Sequence, residues 1–202
     1  LLVPEQLSFV ASPQGVAYRN RLRLKVGEEG RIGFFNADKD LDCVVLRSGV
    51  RRLMGRLQQC AQSQPDEAKR VQHLEARDQD LDGRFGAFLV EREGHLAVDS
   101  CTVRSQLGDD VLVAVADQDL PMPTQRFALD DALYGYVPLN GFMQVNHGVN
   151  RLLRAHVVAG AKDRGVRRFA DLYCGSGNLS LPLLHSGLEG RAVETHVGSV
   201  HA

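Results

Sequence analysis

The stretch DLYCGSGNLSLPLL, Asp171 to Leu184, sets two glycines, Gly175 and Gly177, between a short apolar run and an apolar-periodic segment. Glycine turns easily and lets a ligand approach the backbone without meeting a Cβ, and the start of a helix after a strand favours a ligand's polar part. Three nucleotide chemistries compete for this turn. A phosphate-binding P-loop requires GxxxxGK[ST], and no such lysine follows, so it is excluded. A dinucleotide turn requires GxGxxG, and Ser180 stands where the third glycine belongs, which weakens that reading. The third is S-adenosylmethionine (SAM) on a Rossmann-like methyltransferase, with an acid ahead of the glycines and another closing the next strand. Asp171 and Glu194 stand in those places, and a carboxylate at a strand end can accept both ribose hydroxyl hydrogens. A lone GxG also suits an ordinary helix cap, and these residues alone leave both open.

The elements that must position this turn are legible around it. In VNHGVNRLLRAHVVAGA, Asn146 is a helix cap, and Val149, Leu152, Leu153, Val157 and Ala161 mark one apolar side of a long helix. The strand RFADLY, the glycine turn, a helix and the strand GRAVE follow, which is the opening of a doubly wound α/β domain. Two strands do not bury both faces of such a sheet. Upstream, YRNRLRLKV alternates, with Arg19, Arg21, Arg23 and Lys25 on one side and Tyr18, Leu22, Leu24 and Val26 on the other. This predicts a half-buried strand with a basic outer face. EGRIGFF follows across GEEG as a hairpin. DCVVLRS is expected to be a third strand, GVRRLMGRLQQC a helix, and DEAKRVQHLEARD a second, more polar helix. Further strands are expected at GRFGAFLVER, GHLAVDS and DVLVAVAD, and a pair within TQRFALDDALYGYVPL. QSQPDEAKR is the most loop-like zone, and EARDQDLDG reads as solvated surface. The fold class is therefore α/β: an α+β central domain over 1–138, then the beginning of a Rossmann-like domain over 139–202, which is a SAM-dependent methyltransferase domain on the third reading of the turn.

Composition bounds the function. The chain has 202 residues, 44% hydrophobic and 24% charged, with a formal net charge of -1, so any nucleic-acid site must be a local patch rather than a general coat. No apolar run approaches the roughly 20 residues that span a bilayer, and the start LLVPEQLSFV lacks a basic leader, so a cytoplasmic compartment and no membrane are expected. Cys43, Cys60, Cys101 and Cys174 show no CxxC and no metal-ligand spacing.

GFMQVNHGVN, ADLYCGSGNLSLPLL and AVE together resemble the RNA uracil-C5 methyltransferases that make 5-methyluridine. Upstream, YRNRLRLKV, IGFF and a cysteine after a short acidic strand resemble that family's central domain. The resemblance covers nearly the whole chain, and the QVN form is closer to the ribosomal RNA members. It implies that Gln144 touches the cofactor, that Tyr173 and Asn178 shape its pocket, that Glu194 holds the ribose, and that Gly175 and Gly177 give the backbone approach. Taken singly, Gln144 is equally an exposed helix-start residue, Tyr173 a core aromatic and Asn178 a helix cap. Cys43 resembles the fourth ligand of the [4Fe-4S] cluster of the ribosomal RNA members. Such a cluster needs four thiolates, and the other three would lie before Leu1. Read alone, Cys43 is a small buried thiol.

Methylating carbon 5 of uracil calls for a thiolate adding to carbon 6, attack of the resulting enolate on the SAM methyl, and a general base for the carbon 5 proton. In the family these groups come from late motifs that do not occur in these residues. The resemblance therefore implies a nucleophile and a base beyond Ala202, and no catalytic residue within the chain; Cys174 belongs to the cofactor turn. The expectation is a monomeric, partial enzyme that by itself is inactive and poorly stable: an RNA (uracil-5-)-methyltransferase for ribosomal RNA without its catalytic groups. Two alternatives stand beside it. One is a non-catalytic RNA-binding module using Arg19, Arg21, Arg23 and Lys25 on successive phosphates, with a solvated strand face as the plain reading. The other is a small-molecule SAM-dependent methyltransferase.

Overall fold

The computed structural model describes residues 9–34, 43–78, 83–118 and 121–200. Strand β1 (Arg21–Val26) buries Leu22, Leu24 and Val26 and turns Arg21, Arg23 and Lys25 to its other face. The chain reverses through GEEG, where Gly30 takes φ 78°, into β2 (Ile32–Gly33), antiparallel to β1. Helix α1 (Ser48–Ser63) buries Val50, Leu53, Met54, Leu57 and Cys60, one stripe at helical spacing. Then come α2 (Pro65–Arg70), β3 (Val71–Asp78), β4 (Phe85–Glu91), α3 (Ser100–Leu107) and β5 (Val111–Val115). The strands form one sheet ordered β2-β1-β3-β4-β5, antiparallel except for the parallel β4–β5 pair that α3 connects. Leu22, Leu24, Leu74, Ala76, Ala87 and Val113 meet the apolar faces of α1 and α3 in the main core.

The opposite face is polar where β1 and β3 meet. The register sets Arg23 beside Glu75 and Arg21 beside Arg77. The hairpin β6 (Thr124–Ala128) and β7 (Tyr134–Pro138) reaches this sheet at Gly86 on β4, where a Cβ would stand 2.6 Å from Leu139 Cδ2 and 2.7 Å from Gln125 Oε1. Only glycine lets these parts approach so closely. The hairpin's own small core, Phe127, Leu129 and Val137, is completed by Leu133, Met143 and Leu181. Helix α4 (His147–Asp163), β8 (Arg168–Leu172), α5 (Ser180–His185), β9 (Glu189–Val193) and α6 (Val197–Val200) follow, with β8 and β9 parallel. Among the described residues no helix is long and apolar enough to cross a membrane.

Several expectations are corrected. From Cys43 onward DCVVLRS is a turn with a single bridge, Leu46 to Arg19, before α1 begins. QSQPDEAKR is the end of α1 and the whole of α2 rather than a loop. DEAKRVQHLEARD is helical only through Arg70; from Val71 it is β3, because ladders to β1 on one side and β4 on the other outweigh its helix-like pattern. Of the stretch read as solvated surface, Glu75, Ala76 and Arg77 are buried on β3, and 79–82 lie outside the described residues. GHLAVDS forms no strand, since Asp99 accepts from the Cys101 and Thr102 amides and starts α3. Asn146 does cap α4, but the side buried there is polar. Asn150 and Arg154 are covered, whereas Val149, Leu152 and Leu153 are about 40% exposed.

Candidate functional site

Strand β8 ends at Leu172, and the backbone amides of Tyr173 and Cys174 both donate to the Val193 carbonyl, at 2.8 and 3.1 Å, so the turn hangs on the end of β9. Tyr173, Gly175 and Gly177 all take positive φ, at 62°, 57° and 81°. That conformation is unusual for a bulky tyrosine, a local strain that the two anchoring amides hold in place. The two glycines differ. A Cβ at Gly177 would stand 2.8 Å from Leu181 Cγ, so this glycine is required by the packing of α5, while nothing lies within 4 Å of a Cβ at Gly175. Gly175 is thus the position where a ligand can come against bare backbone.

Glu194, the residue after β9, closes the turn. Its Oε2 accepts from the Gly175 amide at 2.8 Å, and its Oε1 from the amides of Thr195 at 2.7 Å and His196 at 2.8 Å. Amide donation by His196 first, then Gly175, holds this carboxyl below its ordinary pKa. A carboxylate offers about four acceptor positions, and three are already met by amides, so the open capacity lies on Oε2. Asp171 is committed as well, accepting from Ser180 Oγ at the start of α5.

Gln144 lies on the loop between β7 and α4, and this loop is held from the first sheet. The Asn20 amide donates to the Val145 carbonyl at 3.0 Å, and Arg77 donates to the carbonyls of Pro138 and Gly141, at 3.1 and 2.5 Å. Asn146 then caps α4 by accepting from the Val149 amide. The outcome is a cleft in which Gln144 faces Ser176 and Asn178 of the glycine turn, walled by Phe127, Phe142 and Met143. Its enclosed part is small, about 50 Å³.

Asn178 does not cap α5, whose N-cap is Leu179 without a side-chain bond. It is clasped to Asn150 in a reciprocal amide pair, 2.9 and 3.0 Å, and its Oδ1 also accepts from Arg154 at 3.2 Å. Arg154 donates its other end to the Leu129 carbonyl after β6. Burial lowers the Arg154 pKa, with Asp130 opposing and Arg151 adding to the shift. One buried cluster therefore joins α4, the β6 end and the glycine turn.

The structure brings Gln144 to Ser176 and Asn178 at one cleft, with Gly175 and Gly177 their neighbours on the turn, and Glu194 is tied to that turn through the Gly175 amide. It leaves Tyr173 outside the cleft, 82% exposed. On β1, Arg21 and Arg23 both bind Glu75, at 2.7 and 2.9 Å, and Arg19 Nε donates to the Arg21 carbonyl. The expected row of phosphate hooks is thus a partly internal ion cluster. Burial raises the Glu75 pKa, but Arg21, Arg77 and Arg23 outweigh it and the net shift is downward. Arg23, 58% exposed, is the member that reaches solvent. Cys43 is a half-buried free thiol packed on the main core, and among the described residues no group of three ligand-type side chains surrounds it or any other point. Cys43 supplies one thiolate, and a four-thiolate cluster there would take its other three from outside the described residues. Cys174 is pushed toward the protonated thiol by burial and by the Asp171 and Glu194 carboxylates, the reverse of an activated nucleophile. The nucleophile and base expected beyond Ala202 lie outside the described residues, as does Ala202 itself. Sequence reasoning missed Glu75, Arg77, Asn150, Arg154 and Ser176. The spacing of Asn146, Asn150 and Arg154, four apart on one helix, was the available signal for two of them.

A glycine turn between parallel strands, closed by a carboxylate just after the second and preceded by an α+β sheet, is the opening of a Rossmann-like fold. No protein-family model matches the chain. It is 30% identical over 208 residues to the 23S rRNA (uracil(1939)-C(5))-methyltransferase RlmD of Chromohalobacter salexigens, covering 86% of this chain and 41% of that protein. It is 41% identical over 68 residues to the enzyme of the same name from Shewanella sediminis, covering 34% of this chain and 15% of that one. The fold matches the crystal structure of Pyrococcus abyssi tRNA (uracil-54, C5)-methyltransferase in complex with S-adenosyl-L-homocysteine, with TM-score 0.67 and 19% identity, covering 94% of this chain and 52% of that one. The chain belongs to the RNA uracil-C5 methyltransferase family, and it spans less than half the length of the curated relatives it matches.

Proposed function

We infer that this chain is part of an RNA (uracil-5-)-methyltransferase that uses SAM to methylate carbon 5 of a uridine in ribosomal RNA. The observation that carries the reading is the cleft in which Gln144 meets the glycine turn while Glu194 fixes the Gly175 amide. The residues fit a nucleoside cofactor. Gly175 offers open backbone, Glu194 Oε2 retains acceptor capacity for a ribose hydroxyl, and Gln144 supplies an amide. When bound, SAM supplies an electrophilic methyl group. The chain's residues bind and orient it, and Tyr173, exposed on the same turn outside the cleft, offers an aromatic surface to its adenine. The RNA reading rests on the similarity to the rRNA enzymes and on Arg23 and Lys25, exposed on β1. Residues 1–138 then serve as the RNA-contacting module and 139–202 as the cofactor module, in a cytoplasmic monomer.

Titration with S-adenosylhomocysteine by calorimetry tests the cofactor site. Binding by the chain, weakened at least tenfold by Glu194→Ala and by Gln144→Ala, is the expected result. Equal binding by all three proteins would remove these residues from the site.

A further inference from the structure

We propose that Arg77 is a positioning residue for the cofactor site: anchored by Glu75, its guanidinium fixes the loop that carries Gln144, so that the central sheet sets how Gln144 meets the methyl donor. The proposal rests on the cofactor reading above and adds to it a residue of the central domain.

Arg77 stands on β3 with 1% of its side chain exposed. Its Nη1 donates to the Pro138 carbonyl at 3.1 Å, and its Nη2 to the Gly141 carbonyl at 2.5 Å and to Glu75 Oε2 at 3.3 Å. Pro138 and Gly141 are the two ends of one tight turn, closed by the Gly141 amide on the Pro138 carbonyl at 2.8 Å. A Cβ at Gly141 would stand 2.8 Å from Pro138 Cγ, so the turn requires glycine there. The planar fork of an arginine meets both carbonyls at once, which the point charge of a lysine does not match. Phe142, Met143 and Gln144 follow the turn, and the next residue is held again, because the Asn20 amide donates to the Val145 carbonyl at 3.0 Å. Asn20 lies beside Arg77, since the Asp78 amide donates to the Asn20 carbonyl at 2.9 Å. Both ends of the segment bearing Gln144 are therefore pinned to one corner of the β1–β3 pair.

Stability alone does not account for a buried arginine at this place. An apolar pair of similar volume commonly replaces a buried ion pair at no loss, because two charges no longer have to leave water. What an apolar pair does not supply is two donors at the spacing of the two carbonyls. Gln144 itself is exposed on irregular backbone, so the position of its amide follows the anchors on either side. A loop that holds the competent position a tenth of the time binds its ligand about tenfold more weakly.

The test uses Glu75→Leu with Arg77→Met, which removes both charges and both carbonyl donors together. Affinity for S-adenosylhomocysteine, measured by calorimetry, should fall about tenfold, and hydrogen exchange at the Leu139 and Gly141 amides should quicken. Added to Gln144→Ala, the same two changes should cost at most about twofold, because they act through Gln144; a merely structural effect would cost as much in either background. Arg77→Lys, which keeps the charge and loses the fork, carries the same comparison if the double variant does not fold, with a loss of about threefold in the wild-type background and none in Gln144→Ala. Wild-type chain that does not bind S-adenosylhomocysteine would overturn the cofactor reading and this inference together. Wild type that binds it, with affinity undiminished in the Arg77 variants or diminished equally in the two backgrounds, would overturn this inference alone.

Discussion

Glu75→Gln should cost this chain about 3 kcal/mol of folding stability, although Glu75 lies far from the glycine turn in sequence. Its carboxylate, 3% exposed, faces three guanidinium groups, with side-chain exposures of 18% for Arg21, 58% for Arg23 and 1% for Arg77. The contribution of each pair follows its burial. An exposed pair is worth roughly 0–1 kcal/mol, so Arg23→Gln should change stability by about 0.5 kcal/mol or less. Removing one partner of a buried pair costs roughly 3–5 kcal/mol, because the other charge is left uncompensated. Arg77 keeps its two carbonyl acceptors on Pro138 and Gly141, which puts the loss at the lower end of that range. The pair Glu75→Leu with Arg77→Met should lie much closer to wild type than Glu75→Gln does, since no buried charge remains. The pH dependence has a definite sign. The folded Glu75 pKa is depressed, so its contribution is present above the ordinary carboxylate range and is lost as pH falls through the folded value. Burial and then the Arg21 charge push Arg77 down to about 10. Between that value and the ordinary guanidinium range the unfolded chain binds more protons, so stability rises with pH there, and at neutral pH Arg77 is charged and depends on Glu75. Urea denaturation of the four proteins, with the slope m compared, measures all of this. A Glu75→Gln loss under 1 kcal/mol, or one matched by Arg23→Gln, would refute the reasoning.

Asn150→Ala breaks the reciprocal amide pair and leaves the Asn178 amide unmet; about 1–3 kcal/mol of stability and a weakened affinity for S-adenosylhomocysteine are expected, and full affinity would dismiss the clasp as a support of the turn. Gly175→Ala should lose affinity for that ligand with about 1 kcal/mol of backbone cost, whereas Gly177→Ala should lose more stability through its collision with Leu181; thermal melts and titrations of both variants separate the two roles, and identical behaviour would argue against the distinction. Arg23→Glu should weaken binding of a uridine-containing RNA and reduce the salt slope by about 1, while an unchanged slope would remove β1 from the RNA surface.

The elements of the second half were legible because their signals are local. Asn146 caps α4 through its own side chain, the glycines turn where the chain needs φ above zero, and apolar runs flank them. The misreading with the largest consequence concerns an element whose state is set by distant partners. Val71–Asp78 carries a helix-like pattern and becomes a strand because β1 and β4 pair with it, more than 40 and about 10 residues away respectively. Misreading it concealed Glu75 and Arg77, because a carboxylate in an apparently solvated acidic run gives no sign of its burial.

The sequence by itself determined the glycine turn, its closing acid and the family, since these depend on residue types at short spacing and on backbone conformations that few residues tolerate. Tertiary structure alone decided what those residues are bonded to. It committed Asn178 to Asn150, set Arg21 and Arg23 on Glu75, left Tyr173 outside the cleft and buried the Ser176 hydroxyl without a partner. The physical reason is that a hydrogen bond or ion pair within a buried cluster depends on which groups the fold brings within about 3 Å, and separations of 28 residues for Asn150 and Asn178, or 52 for Arg23 and Glu75, leave no local trace.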